Sequence, residues 1–122
     1  MKSVYISHSS NMDYEKELYQ PLLSSKLADM YNFILPHSEK YKDIDTKNIL
    51  IKSSCLIAEV SFPGTGIGLE LGRAECHNIP VICFIKKGKK CSSSVKRNFK
   101  VIEYYDEKDL VHKLEMVLQE ME

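Results

Sequence analysis

One stretch constrains this chain more than any other. The apolar run Ser54–Val60 stops at a loop carrying Pro63, Gly64, Gly66 and Gly68, and a helical pattern, Leu69-Glu70-Leu71-Gly72-Arg73-Ala74, opens behind it. A buried strand, a flexible turn and a helix start, in that order, is the unit from which α/β proteins build a crevice at the carboxyl ends of their strands. Glu70 falls in or near the first turn of that helix, where the positive end of the helix dipole favours a carboxylate.

The rest of the chain repeats the same alternation. Strand-like apolar runs are expected at Val4–Ile6, Phe33–Leu35 (ended by Pro36), Cys55–Val60, Pro80–Ile85 and Val101–Tyr104. Between them lie helical patterns. Asn11–Leu27 carries Tyr14, Leu18, Leu22 and Leu27 near one face, with Ser10 and Asp13 spaced as a capping pair. Pro21 predicts a kink there or a fresh helix with the proline in its first turn. Ile44–Ser53 reads as a helix with Ile44, Ile49 and Ile51 inward, and Ile67–His77 as the next. Asp106 caps a terminal helix whose Leu110, Leu114, Val117, Leu118 and Met121 keep helical spacing. Strands that are apolar throughout, separated by helices, belong to a parallel sheet covered on both faces. The expectation is one domain over residues 1–122, a flavodoxin-like three-layer α/β fold with a five-stranded sheet in the order 2-1-3-4-5. Its switch point lies between strands one and three, so the loops Ser7–Asn11 and Ser61–Gly68 meet at one crevice.

Charge and cysteine usage narrow the function classes. Lys and Arg number 17 against 17 Asp and Glu, which argues against long nucleic-acid tracts and acidic membranes as partners. No apolar stretch approaches a membrane span, and Met1-Lys2-Ser3 runs straight into a strand, so no signal peptide is read and a cytoplasmic setting is the expectation. Cys55, Cys76, Cys83 and Cys91 show no CxxC spacing, and His8, His37, His77 and His112 no metal-ligand spacing. No metal or organic cofactor is expected. Gly64-x-Gly66-x-Gly68 departs from the dinucleotide fingerprint and weakens a nicotinamide-binding reading. An ionised, positioned carboxylate such as Glu70 is what nucleophilic attack at a sugar carbon requires. A lone glutamate early in a helix is more often only favourable dipole chemistry, and the surrounding residues have to decide.

Those residues resemble a family. Val4-Tyr5-Ile6-Ser7, Ala58-Glu59-Val60 before a glycine loop, and Gly68-Leu69-Glu70-Leu71-Gly72-Arg73-Ala74 before Pro80-Val81-Ile82-Cys83 are similar to the nucleoside 2-deoxyribosyltransferases, and most of all to their branch of 2′-deoxynucleoside 5′-monophosphate N-glycosidases. The resemblance runs from about Val4 to Phe99. It implies cleavage of the N-glycosidic bond of a deoxynucleotide or deoxynucleoside through a covalent glutamyl-deoxyribosyl intermediate, with water or a second base as acceptor. By matching position Glu70 is the nucleophile and Tyr5 orients it. Ser7, His8, Gly64, Gly66 and Gly68 line the substrate site. The resemblance also implies a homodimer or higher symmetric oligomer in which Ser93 of one subunit touches the substrate phosphate of the other.

One position departs from the pattern. The family's aspartate that assists the leaving base falls here on Thr46, with Asp45 and Asp43 just before it. A threonine cannot act as a general acid near neutral pH, so either Asp45 takes the role or the chemistry is weakened. The run Lys86–Arg97 holds six Lys or Arg and no acid. From composition it is a solvated loop; from the resemblance it is a phosphate-facing one. Glu59 reads as a structural acid bonded to loop amides, Tyr5 as either a core aromatic or a site residue, and His8 as a surface histidine at the crevice mouth. Two rival readings remain. Val4–Ser10 is also similar to the opening of bacterial TIR domains, whose relatives cleave the glycosidic bond of NAD with a glutamate. The chain could instead be a non-catalytic nucleotide-binding module.

Overall fold

The computed structural model describes residues 1–122. Five parallel strands, β1 (Lys2–His8), β2 (Tyr31–Ile34), β3 (Cys55–Glu59), β4 (Val81–Lys86) and β5 (Lys100–Tyr104), stand in the order β2-β1-β3-β4-β5, the order expected from the sequence. In register, Tyr5 lies opposite Ile34 on one side and Leu56 on the other. β1 is therefore an interior strand, paired on both sides, and its carboxyl end opens at the switch point.

Successive side chains of a strand point to opposite faces. Val4 and Ile6 join the core beneath α1 (Gln20–Leu23), α2 (Leu27–Met30) and α6 (Glu107–Met121), with Leu22, Leu27, Phe84, Leu110 and Leu114. Tyr5 joins the opposite core, with Leu56, Ala58 and Cys83 of the sheet, Leu50 of α3 (Lys47–Ile51), and Ile67, Leu71 and Ala74 of α4 (Thr65–Cys76). The short α5 (Ser93–Asn98) packs Val95 on this second side. Cys55 and Cys83 are buried, which pushes their thiols up to about 11 and about 12 and leaves them as core residues. No helix is long and apolar enough to cross a membrane.

Several expectations are corrected. Asn11–Leu27 is not one helix: a π-helical turn over Glu15–Tyr19 precedes α1, and α2 begins only at Leu27. Pro21 sits in the first turn of α1 and has no N–H to give, and the hydrogen-bond ladder widens to Gln20 N–H→Glu15 O just before it. The Ser10–Asp13 capping pair does not form; Ser9 Oγ accepts the Asn11 N–H at 3.0 Å instead. Ile44 is half exposed, and α3 starts three residues later, because Tyr41, Ile49 and Leu50 fill that side of the core. Part of the basic run becomes α5, started by Ser92 Oγ accepting the Val95 N–H at 3.3 Å after a turn that Gly88 makes at φ 90°.

Candidate active site

Tyr5 and Ser7 leave β1 on the same side, and α4 runs across that side. Both oxygens of the Glu70 carboxylate are held there. The Tyr5 hydroxyl donates to Oε2, and Ser7 Oγ donates to Oε1 at 2.7 Å. Tyr5 is fully buried, and desolvation followed by the Glu70 hydrogen bond pushes its hydroxyl far above the ordinary tyrosine range, so it remains a proton donor. Thr46 Oγ1 lies 2.8 Å from Tyr5 Oη. A phenol has one proton and the carboxylate is the stronger acceptor, so the Thr46 hydroxyl donates into Tyr5. Four side chains thus form one network: two charge-assisted bonds converge on the Glu70 carboxylate, and a neutral bond from Thr46 backs the Tyr5 arm.

Glu70 is the sixth residue of α4, in its second turn. This corrects the first-turn placement: the dipole fades within the first turn, and the hydroxyls of Tyr5 and Ser7 do the positioning. Glu59, 3% exposed, is committed elsewhere. Its Oε1 accepts the Ser61 N–H at 2.7 Å, and its Oε2 accepts the Ser61 hydroxyl at 2.8 Å and the Tyr104 hydroxyl. Ser61 Oγ in turn accepts the Lys86 N–H at 2.8 Å, so this acid clamps the loop leading to α4.

Beside β1's carboxyl end lies an open cleft of about 490 Å³, walled by His8–Asn11, by His37 and by Pro63–Ile67. Gly64 matters to its shape: a Cβ there would meet Ser9 Oγ at 3.3 Å. His8 is 6% exposed, which overturns the surface-histidine expectation. Its Nε2 lies 2.6 Å from Tyr19 Oη and its Nδ1 3.0 Å from Ser9 O. Tyr19 Oη also accepts the His37 N–H at 3.0 Å. These partners dictate one arrangement, with Nδ1–H donating to Ser9 and Nε2 accepting from Tyr19. Burial, opposed by the Ser9 bond, lowers the ring's pKa to about 4, so His8 is neutral at pH 7. Tyr14 stacks on His8 with centroids 4.8 Å apart, and His37 meets His8 edge-on at 4.7 Å.

The residues singled out from the sequence therefore divide. Tyr5, Ser7 and Glu70 come together, and His8, Gly64 and Gly66 line the cleft. Gly68 lines an adjoining groove of about 240 Å³ between α4 and Lys90–Ser92, which shares Pro63, Gly64 and Ile67 with the cleft. Asp45 is exposed, its Oδ1 accepting the Lys47 N–H at 3.1 Å at the start of α3, so it is not brought to Glu70. Ser93 is exposed on α5. Several basic residues are engaged within the chain: Lys86 lies 3.8 Å from Glu17, Lys87 over Tyr105 and Lys89 over Phe62. No group of three or more His, Cys, Asp or Glu gathers as metal ligands would. The aromatic cluster of Tyr14, Tyr19 and His37 around His8 was not read from the sequence, where the tyrosines carry only a helical-spacing signal. An open pocket of about 300 Å³, with Lys2 and Glu122 among its lining residues, lies at the other end of the sheet between Tyr31 and Leu118.

No family model matches the chain. Two curated relatives are named "putative 2′-deoxynucleoside 5′-phosphate N-hydrolase 1". The one from Methanosarcina barkeri is 44% identical over 50 residues, covering 41% of this chain and 31% of the relative. The one from Nematostella vectensis is 40% identical over 67 residues, covering 49% of this chain and 46% of the relative. The chain thus spans less than half the length of the curated relatives it matches. Among solved structures, the Clostridium botulinum CMP N-glycosidase BcmB superposes with a TM-score of 0.69 at 17% identity, over 93% of this chain and 99% of that one. A conserved protein of Enterococcus faecalis V583 gives 0.64 at 14% identity, over 95% and 98%. The fold is shared with both, and the resemblance read from the sequence is found again in the curated matches.

Proposed function

We propose that this chain cleaves the N-glycosidic bond of a 2′-deoxynucleoside 5′-monophosphate, with Glu70 attacking the anomeric carbon and water resolving the glycosyl ester. The observation that carries the reading is the Glu70 carboxylate, gripped at both oxygens by Tyr5 and Ser7 beside the cleft at the sheet's switch point. An attacking carboxylate needs a fixed oxygen and a nearby concave site, and this arrangement has both. The names of the two curated relatives and of BcmB support bond type and substrate class. The cleft's far wall is the first turn of α4, whose free N–H groups suit a phosphate. The exposed Ser93 and neighbouring lysines would approach that phosphate from a partner subunit in a symmetric, cytoplasmic homodimer. Transfer to a second base is the same first step with a different acceptor.

Thr46 favours a second reading, a nucleotide-binding module without turnover, because it puts an alcohol where an acid is required. Incubation with deoxynucleoside monophosphates, free deoxynucleosides and NAD, with released base measured by chromatography, separates these readings. Glu70→Ala is expected to abolish base release while circular dichroism stays unchanged. A folded Glu70→Ala protein that still turns over removes the mechanism.

A further inference from the structure

Breaking a C1′–N bond to a neutral nucleobase puts negative charge on the base, and a proton must meet it as the bond breaks. The groups around Glu70 do not supply one. The Tyr5 proton is committed to Glu70, Ser7 and Thr46 offer only alcohols, and Asp45 is exposed and turned to Lys47. The cleft walls contain two titratable side chains, His8 and His37. Both nitrogens of His8 have partners, and its ring is neutral and buried.

We propose that His37 is the general acid that protonates the departing base, an assignment that rests on the glycosidase reading above. Its placement follows from the parallel register. Ile34 lies opposite Tyr5, so three residues further His37 stands beside His8 at the carboxyl end of β1. Its backbone is fixed by the N–H bond to Tyr19 Oη, and its ring is braced by His8 and by Tyr14, whose centroid is 5.0 Å away. The side chain remains exposed to the cleft. Glu70 is bonded to Ser7, the neighbour of His8 on β1, and lies one helical turn beyond Ile67 of the cleft wall, so the proposal sets the sugar of a bound nucleoside toward Glu70 and its base toward His37. In the first step a Glu70 oxygen bonds to C1′, the C1′–N pair moves onto the base, and the His37 imidazolium gives its proton to a base nitrogen. In the second, water attacks C1′, its proton returns to His37, and the Glu70 carboxylate leaves.

The test compares two substrates that differ in their need for a proton. dGMP requires one; 7-methyl-dGMP, already cationic in its base, departs as neutral 7-methylguanine. His37→Gln and His37→Phe, each checked for folding by circular dichroism, are expected to lose roughly 10²–10⁴-fold in the single-turnover rate of base release from dGMP and to stay within about threefold of wild type in that same first step on 7-methyl-dGMP. Equal losses on both substrates, or dGMP turnover retained by His37→Phe, overturn the assignment in favour of a binding or stacking role. Wild-type protein that releases base from neither substrate overturns the glycosidase reading itself, a distinct failure.

Discussion

Replacing Tyr5 with Phe removes one oxygen and leaves the ring. Tyr5 is fully buried among Leu56, Ala58 and Leu71, so the aromatic volume has to be kept for the core to stay filled. What goes is the donor to Glu70 Oε2 and the acceptor of the Thr46 hydroxyl. A hydrogen bond to a charged group contributes about 1.5–3 kcal/mol, and here the carboxylate keeps only Ser7. If that bond fixes the attacking oxygen, its loss appears in kcat as roughly 10–10²-fold, since each factor of ten is about 1.36 kcal/mol. KM should change little, because Tyr5 faces the carboxylate and is absent from the cleft wall. The assay is base release from a deoxynucleoside monophosphate by Tyr5→Phe, Ser7→Ala and the double variant. The two singles loosen one carboxylate, so their effects should combine less than additively. A Tyr5→Phe enzyme with wild-type kcat, or strictly additive losses, would refute the view that these hydroxyls act through Glu70.

Asp45→Asn is expected to leave turnover within about twofold of wild type, because Asp45 faces the start of α3 and not Glu70; a large loss in kcat would return it to the proton-donor role. His8 predicts a pH effect on stability. Its folded pKa of about 4 lies below the ordinary 6.5, so the stability it contributes is present above pH 6.5 and is lost as pH falls from 6.5 to 4. Urea unfolding of His8→Phe against wild type should show a difference in slope confined to that window, and parallel curves would contradict it. Ser93→Ala should raise KM for the nucleotide and leave the nucleoside reaction unchanged, with the protein a dimer by light scattering; equal effects on both substrates would make α5 ordinary surface.

Much of this architecture was legible residue by residue. The strands at Cys55–Glu59 and Val81–Lys86 are apolar enough that only burial on both faces accommodates them, and helices alternating with them leave few alternatives to a parallel sheet. The sheet order and the crevice between β1 and β3 follow from that. Asp106 stops and starts the chain by local bonding alone, its carboxylate accepting the Asp109 N–H at 2.9 Å. The terminal helix was correspondingly easy to place.

Tertiary structure decided what depends on partners distant in sequence. Tyr5 and Glu70 are 65 residues apart, and only the docking of α4 across β1 makes their bond. Whether Thr46 or Asp45 faces the site turns on a single residue of register where α3 begins, and no local rule resolves one residue. His8 reads as polar and exposed by type, yet Tyr14, Tyr19 and His37 close over it because the turn before Pro21 carries both tyrosines back onto β1. The sequence by itself determined the layers and the crevice, because burial and chain stiffness are local demands. The side chains that meet in the crevice were decided by packing, because a hydrogen bond depends on displacements of a few tenths of an ångström that arise only when whole elements dock.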